Sequence, residues 1–366
     1  MPKILVITKR QYTGKDLLDD RFGRLREIPL ALAEKGHKVQ GLCLSYISRN
    51  EGLVKDGPVI WKSINATPLK LPGLLRFINE ARALARESDV IWACSDSFYG
   101  IIGYALSSRY RIPLVFDLYD NFEYFSTARL PLIKQLYRWI VRRSDAVTCV
   151  SRSLGRLVAS YGRKDHVFVL ENAVRKDLFR PMDKKTCREV LRLPKNVCLV
   201  GTAGALNSNR GIEFLLEAFS VLKAKNTDLH LALAGPRNIH IPHNDRIHDF
   251  GILPLEKVPL FFNALDVAII CNLDNAFGKY CFPQKAREIM ACNIPLIASR
   301  IGSMEEVFAD HPEWLFTPDD ADDLARVLEN RLGDRKTDYS FVPSWSDAAT
   351  ELETIFLELG LNQSFH

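Results

Sequence analysis

Residues 282–308 read FPQKAREIMACNIPLIASRIGSMEEVF, and the fold is read outward from them. Pro283 suits the first turn of a helix, where it gives up only an N–H that would be unpaired, and Ala286, Glu288, Met290 and Ala291 are strong helix formers. The helix should stop at Asn293 and Pro295. The apolar run 294–299 then reads as a buried strand of an α/β sheet, and Gly302 permits a tight turn into a helix opening with Glu305 and Glu306. A helix start presents free backbone N–H groups and partial positive charge, which is where a phosphate binds. Lys285 adds a full charge in that first turn, and Glu288 can accept two hydrogen bonds from a diol such as a ribose. The competing reading makes Lys285 and Glu288 a solvated i,i+3 pair on an exposed face.

Composition bounds the rest. A chain of 366 residues, 47% hydrophobic and 25% charged, exceeds one ordinary core, so two α/β domains are expected. A formal charge of +5 suits anionic small molecules or an acidic membrane surface, and with no Lys/Arg tract or RNA-binding signature it argues against nucleic acid. The eight cysteines are scattered without a C-x-x-C, so a reduced cytosol is expected rather than a disulfide framework or a zinc site.

The run 288–295 followed by Ile297, Ala298 and Ser299 resembles the donor-binding signature of family 4 glycosyltransferases, retaining enzymes of the GT-B fold. That family carries E-x7-E before A-M-A-C-G-x-P-V-I-A-S. Its second Glu falls on Glu288 and its first on Tyr280, so the chain resembles the F-P-x-K-x-x-E variant, with Phe282, Pro283 and Lys285 between the two positions. The resemblance implies two Rossmann-like doubly wound domains facing a central cleft, a nucleoside diphosphate sugar as donor, a hydroxyl acceptor (a glycan or lipid-linked glycan), and no metal or other cofactor. A role in cell-envelope or surface polysaccharide synthesis follows as an expectation. The rivals are a non-catalytic nucleotide-sugar binding protein and a GT-B epimerase.

In chain order, residues 3–8 form a first strand, too brief for a signal peptide or membrane span, and lead through a loop holding Gly14 to a helix over 22–35 and a strand over 37–44. The phrase ALAEKGHKV resembles the family's first β-α-β unit, whose glycine loop, here with Gly14, lies beneath the donor. Helices over 71–87 and 98–109 alternate with strands over 90–94 and 113–116, a pattern implying parallel pairing. The polar run 117–124 then falls at the carboxyl end of a parallel sheet. Asp120 is the first candidate for a base, Asp117 the second and Glu123 the third; helix capping is the alternative for each. Many relatives carry His where Tyr119 stands. Residues 132–143 form an amphipathic helix with Lys134, Arg138, Arg142 and Arg143 beside Trp139. It either packs on the sheet or lies on an anionic membrane, which would make a cytoplasmic protein peripheral to the inner face.

Residues 144–151 and 167–181 resemble the family's passage between domains, giving an N-terminal, acceptor-side domain 1–173, a donor-binding domain 174–342, and a crossover helix within 343–366 that packs back on the first. The second domain opens with a strand over 197–200 and a glycine loop, 201–211, that includes Gly204 and lets backbone approach a diphosphate. Arg210 takes the place of the family's Lys and Ala205 that of its Arg, with Lys285 as the substitute cation. Strands are expected over 229–234, 250–254 and 264–271. His240, His243 and His248 match no metal-site spacing and are expected to be exposed loop residues.

Overall fold

In the computed structural model, residues 1–361 are described apart from 13, 68–69, 125–129, 335, 338 and 340. The chain divides into two compact units, Met1–Asn172 with Trp345–His366, and Ala173–Ser344.

The first unit is built on an eight-stranded sheet in the order Val167–Val169, Ala146–Cys149, Leu114–Leu118, Val90–Cys94, Lys3–Lys9, Lys38–Ser45, Val59–Asn65, Gly52–Asp56. All neighbours pair in parallel except the last two, which form an antiparallel hairpin at one edge. The hairpin has no counterpart in the sequence reading. Its inner strand buries Val59, Trp61 and Ser63 and exposes Ile60, whereas Leu53 on the outer strand is exposed, so hydrophobicity along it is a poor guide. Central strands behave differently: every residue of Val90–Cys94 is buried, because helices cover both faces of a parallel sheet. From the Lys3–Lys9 strand the chain winds outward on one side, then returns to Val90–Cys94 and winds outward on the other. The winding therefore reverses between these two strands, and their carboxyl ends form a crevice where ligands bind in doubly wound sheets.

The helix Trp345–Glu358 belongs to this unit and packs on Arg24–Glu34. It buries Trp345, Leu352, Ile355 and Phe356, each worth about 1.5–3 kcal/mol of apolar transfer. Glu353 reaches His37 at 2.7 Å and Lys35 at 3.2 Å.

The second unit holds a six-stranded parallel sheet, ordered Ile247–Asp249, Leu229–Ala234, Cys198–Ala203, Val267–Ile270, Leu296–Ser299, Leu315–Phe316. Its reversal lies between Cys198–Ala203 and Val267–Ile270. A core of Leu215, Phe219, Leu231, Leu233, Ile269 and Ile297 joins the sheet to the helices Ile212–Lys225 and Ala321–Gly333.

Three expectations are corrected. The edge strand is Ile247–Asp249 and residues 250–254 lie outside it; a period-free run ending in Pro254 carries no register of its own. His248 consequently sits in a strand, where its ring stacks on His230 with 2.9 Å between ring nitrogens, while His240 and His243 are exposed. The strand expected to end at Phe116 continues through Leu118, so Asp117 lies inside the sheet.

Candidate functional site

Lys285, Glu288, Arg210 and Gly204 converge at the carboxyl edge of the second sheet. The helix Gln284–Ala291 starts at Pro283, and Lys285 in its first turn extends to Thr202, near the end of the Cys198–Ala203 strand, with Nζ 3.3 Å from Oγ1. Gly204 follows that strand; a Cβ there would lie 3.8 Å from Lys285 Nζ. Its carbonyl presses on Gly235, where a Cβ would sit 1.8 Å from the Gly204 oxygen at φ 136°, so only glycine lets these two loops approach. Arg210 closes a short 3₁₀ turn, stacks its guanidinium 4.1 Å from the Phe277 ring centre, and reaches Asn272 Oδ1 at 3.4 Å.

Glu288 is only 8% exposed, which removes the reading of a solvated surface pair. Burial pushes its carboxyl up to about 7 against the pull of Lys285. Burial, then the positive charge of Arg210, lowers the Lys285 ammonium to about 8. These two desolvated groups of opposite charge, with the Arg210 guanidinium alongside, together carry a net positive charge, which suits an anionic ligand.

Phe282 is buried beneath the Arg287 guanidinium, 4.9 Å from its ring centre, which commits the Phe282 ring to packing. Tyr280 ends the helix Ala276–Tyr280, whose start is capped by Asn275, and is half-buried. The Gly302 turn seats against this segment: a Cβ there would meet the Lys279 carbonyl at 2.6 Å. Thr202 and Asn272 went unnamed in the sequence reading, though each is a polar residue at the end of an apolar run, which was the available signal.

In the first unit, Gly14 lies in the turn between Gln11–Tyr12 and Lys15–Asp16 at φ 79°. Asp117 is fully buried; its Oδ1 accepts from Arg24 Nη2 at 2.8 Å and from Thr148 Oγ1 at 2.7 Å, and Arg24 also donates to the Leu170 carbonyl and Asn172. This corrects Asp117 as an accessible base: it is half of a buried ion pair that ties the helix Arg24–Glu34 to the sheet. Glu123 is paired with Arg138 and Lys134, which hold its carboxyl below the usual range despite burial. Asp120 is half-buried and its Oδ1 accepts from the Asn121 N–H at 2.8 Å.

The helix Pro131–Arg143 buries Tyr137, Ile140 and Val141, as packing on the sheet requires, yet leaves Leu132, Leu136 and Trp139 exposed. No helix among the described residues is long and apolar enough to cross a membrane. All eight cysteines are free thiols.

Two doubly wound parallel units with a glycine loop and helix start at a sheet edge define the GT-B class of fold. Solved structures agree on the fold: sucrose-phosphate synthase from Thermosynechococcus elongatus superposes with a TM-score of 0.73 at 18% identity over 98% of each chain, and HepE of Anabaena, in complex with UDP, with 0.71 at 18% over 98% of each. Among curated proteins, D-inositol 3-phosphate glycosyltransferase of Stackebrandtia nassauensis is 25% identical over 243 residues, 58% of this chain and 54% of that one; the chain spans about half the length of such relatives. The family model Glycosyltransferase Family 4 matches residues 25–178, and Glycosyl transferases group 1 matches 197–334. The two models match different parts of the chain, and with the solved structures they agree on a two-domain fold of the GT-B class.

The displaced titrations have opposite consequences for stability. With its folded pKa raised from 4.5 to about 7, Glu288 contributes stability fully present below pH 4.5 and lost as pH rises to 7. Lys285, lowered from 10.5 to about 8, destabilises wherever it is protonated when folded, and stability is regained between pH 8 and 10.5. Urea denaturation across pH 4.5–10.5 is therefore expected to show these contributions at a joint minimum near pH 7–8. Glu288→Gln should abolish the acid-side decline and Lys285→Met the alkaline recovery. Parallel pH profiles for wild type and both variants would contradict the assignment.

Proposed function

We propose that the protein is a glycosyltransferase that transfers a sugar, with retention of configuration and without a metal, from a nucleoside diphosphate sugar to a hydroxyl acceptor. The observation that carries this reading is the meeting of Lys285, Arg210 and the start of the helix Gln284–Ala291 at one sheet edge, with Glu288 buried one turn along. Charge builds on the diphosphate as it leaves. Lys285, Arg210 and the helix start stabilise that charge in place of a metal ion. Glu288 accepts from a diol of the donor, and the Gly204 loop brings backbone close to the diphosphate. Uridine is the base we favour, supported by UDP in HepE. The acceptor is a glycan or lipid-linked glycan of cell-envelope or surface polysaccharide synthesis, handled by the first unit at the cytoplasmic side.

Charge-assisted bonds to phosphate are worth about 1.5–3 kcal/mol, so Lys285→Ala should raise the Kd for UDP by roughly 10- to 150-fold in calorimetry. Arg210→Ala should act in the same direction and more mildly. Unchanged UDP affinity in Lys285→Ala would remove the diphosphate from this edge.

Front-face attack lets the departing phosphate accept the acceptor proton, which makes a protein base optional. If Asp120 takes or orients that proton, Asp120→Asn should lower kcat by roughly 10² while UDP affinity stays at the wild-type value. Full turnover by Asp120→Asn would leave the phosphate as acceptor of the proton. Asp117→Asn is the contrast: disrupting a buried pair costs about 3–5 kcal/mol, so its signature is lost stability.

Association with an anionic membrane is proposed for the helix Pro131–Arg143, on the strength of exposed Leu132, Leu136 and Trp139 together with exposed Arg142 and Arg143. Glu123 holds Lys134 and Arg138, so these two arginines supply the attraction. Co-sedimentation with phosphatidylglycerol vesicles should be lost in Leu132→Ser/Trp139→Ser. Equal sedimentation of both proteins would reject the membrane reading.

A further inference from the structure

Gln284 stands between Pro283 and Lys285 and opens the helix Gln284–Ala291. Its Nε2 donates to the main-chain carbonyl of Ala173 at 2.6 Å, across a sequence separation of 111 residues. Ala173 is fully buried, and the next residue, Val174, donates its N–H to the Pro343 carbonyl at 3.0 Å, so the acceptor is fixed in place. The same Gln284 side chain hydrogen-bonds the carboxylate of Glu288, one helical turn along, where side chains at i and i+4 meet.

The two contacts together constrain the amide. A carbonyl oxygen can only accept, so Ala173 requires the nitrogen end of the Gln284 amide, and that nitrogen can only donate. What faces Glu288 is therefore a donor, and turning it round would cost the bond to a buried carbonyl. A donor bonds an ionised carboxylate about twice as strongly as a neutral acid, so Gln284 favours charged Glu288 at a place where burial opposes the charge. The other titratable and charged neighbours are Lys285, which also favours the charged form, and Cys292 at the end of the helix; Arg210, Cys271 and Cys281 lie around Lys285 in turn. Lys285 acts on Glu288 through its charge while its Nζ extends to Thr202. Gln284 bonds the carboxylate itself, and so sets its direction as well as its charge.

We propose that Gln284 is a positioning residue: tethered to Ala173, it holds Glu288 as an ionised, oriented acceptor for the vicinal diol of a nucleotide's ribose. This rests on the glycosyltransferase reading and deepens it by naming the residue that makes a buried carboxylate usable as an acceptor. Discrimination between ribose and a ribose lacking its diol then depends on Gln284, which itself need not touch the ligand.

The test uses the full chain and calorimetry with UDP and 2′,3′-dideoxyuridine 5′-diphosphate, which differ only in the ribose hydroxyls. The wild type should prefer UDP by roughly tenfold or more, the size of a charge-assisted bond. In Gln284→Met, similar in length and equally suited to a helix, the preference should fall to roughly threefold or less, with affinity for the dideoxy compound held within roughly twofold. Gln284→Lys, whose ammonium can donate to both Ala173 and Glu288, should restore most of the preference; the ratio cancels any added attraction for phosphate. In the free protein, the decline in urea stability assigned to Glu288 should extend to higher pH in Gln284→Met, because burial then meets less opposition. If Gln284→Met does not fold, Gln284→Glu takes its place with the same expected loss of preference, since a carboxylate cannot donate. The proposal is overturned if the substitution leaves the preference or the stability decline unchanged, if both nucleotides weaken equally, or if Gln284→Lys restores nothing. A wild type that binds the two nucleotides equally overturns it while the diphosphate reading stands. A wild type that binds neither overturns both.

Discussion

A parallel strand cannot be joined to its neighbour by a tight turn; the chain must cross over, and the crossovers cover both faces of the sheet. Both units obey this constraint, and in each the winding starts in the middle of the sheet and reverses once. The reversal separates two crossovers that leave adjacent strands in opposite directions, which opens the carboxyl edge at that point. Lys9, Ser95 and Asp96 in one unit, and Gly204, Asn272 and Lys285 in the other, gather there because no other part of a doubly wound sheet leaves strand ends uncovered.

Desolvation is what separates these edges from ordinary polar surface. Lys285 and Glu288 would be worth a few tenths of a kcal/mol as an exposed helical pair. Drawn between the strand ends, both become harder to charge, and Arg210 deepens the effect for the lysine. Stability is given up locally, and under the proposed function a diphosphate recovers it on binding. The Asp117–Arg24 pair is equally buried and holds more hydrogen bonds, from Thr148 to Asp117 and from Arg24 to Leu170 and Asn172, though Asp117 Oδ2 and Arg24 Nε find no partner among the described residues; its effect is to fix the start of a helix.

The carboxylates of residues 117–123 illustrate where local reading fails. All three follow an apolar run and look equivalent in one dimension. Their fates diverge through residues far off in the chain: Arg24 and Thr148 enclose Asp117, while Arg138 and Lys134 hold Glu123. The hairpin Gly52–Asp56/Val59–Asn65 was missed for a similar reason, because its register depends on the adjacent strand Lys38–Ser45 rather than on its own alternation.

The sequence by itself determined the alternation of strands and helices, the glycine loop 201–211 and the helix start at Pro283, because these depend on short-range sterics, periodicity and backbone hydrogen bonding. Residue type also marked Lys285, Arg210 and Glu288 as candidates. Only the tertiary structure decided which of them lie together, that Glu288 is buried while remaining close in charge to Lys285, and that Gln284 joins it to Ala173. Burial and electrostatic coupling are sums over atoms from distant segments, and no local window of the chain contains them.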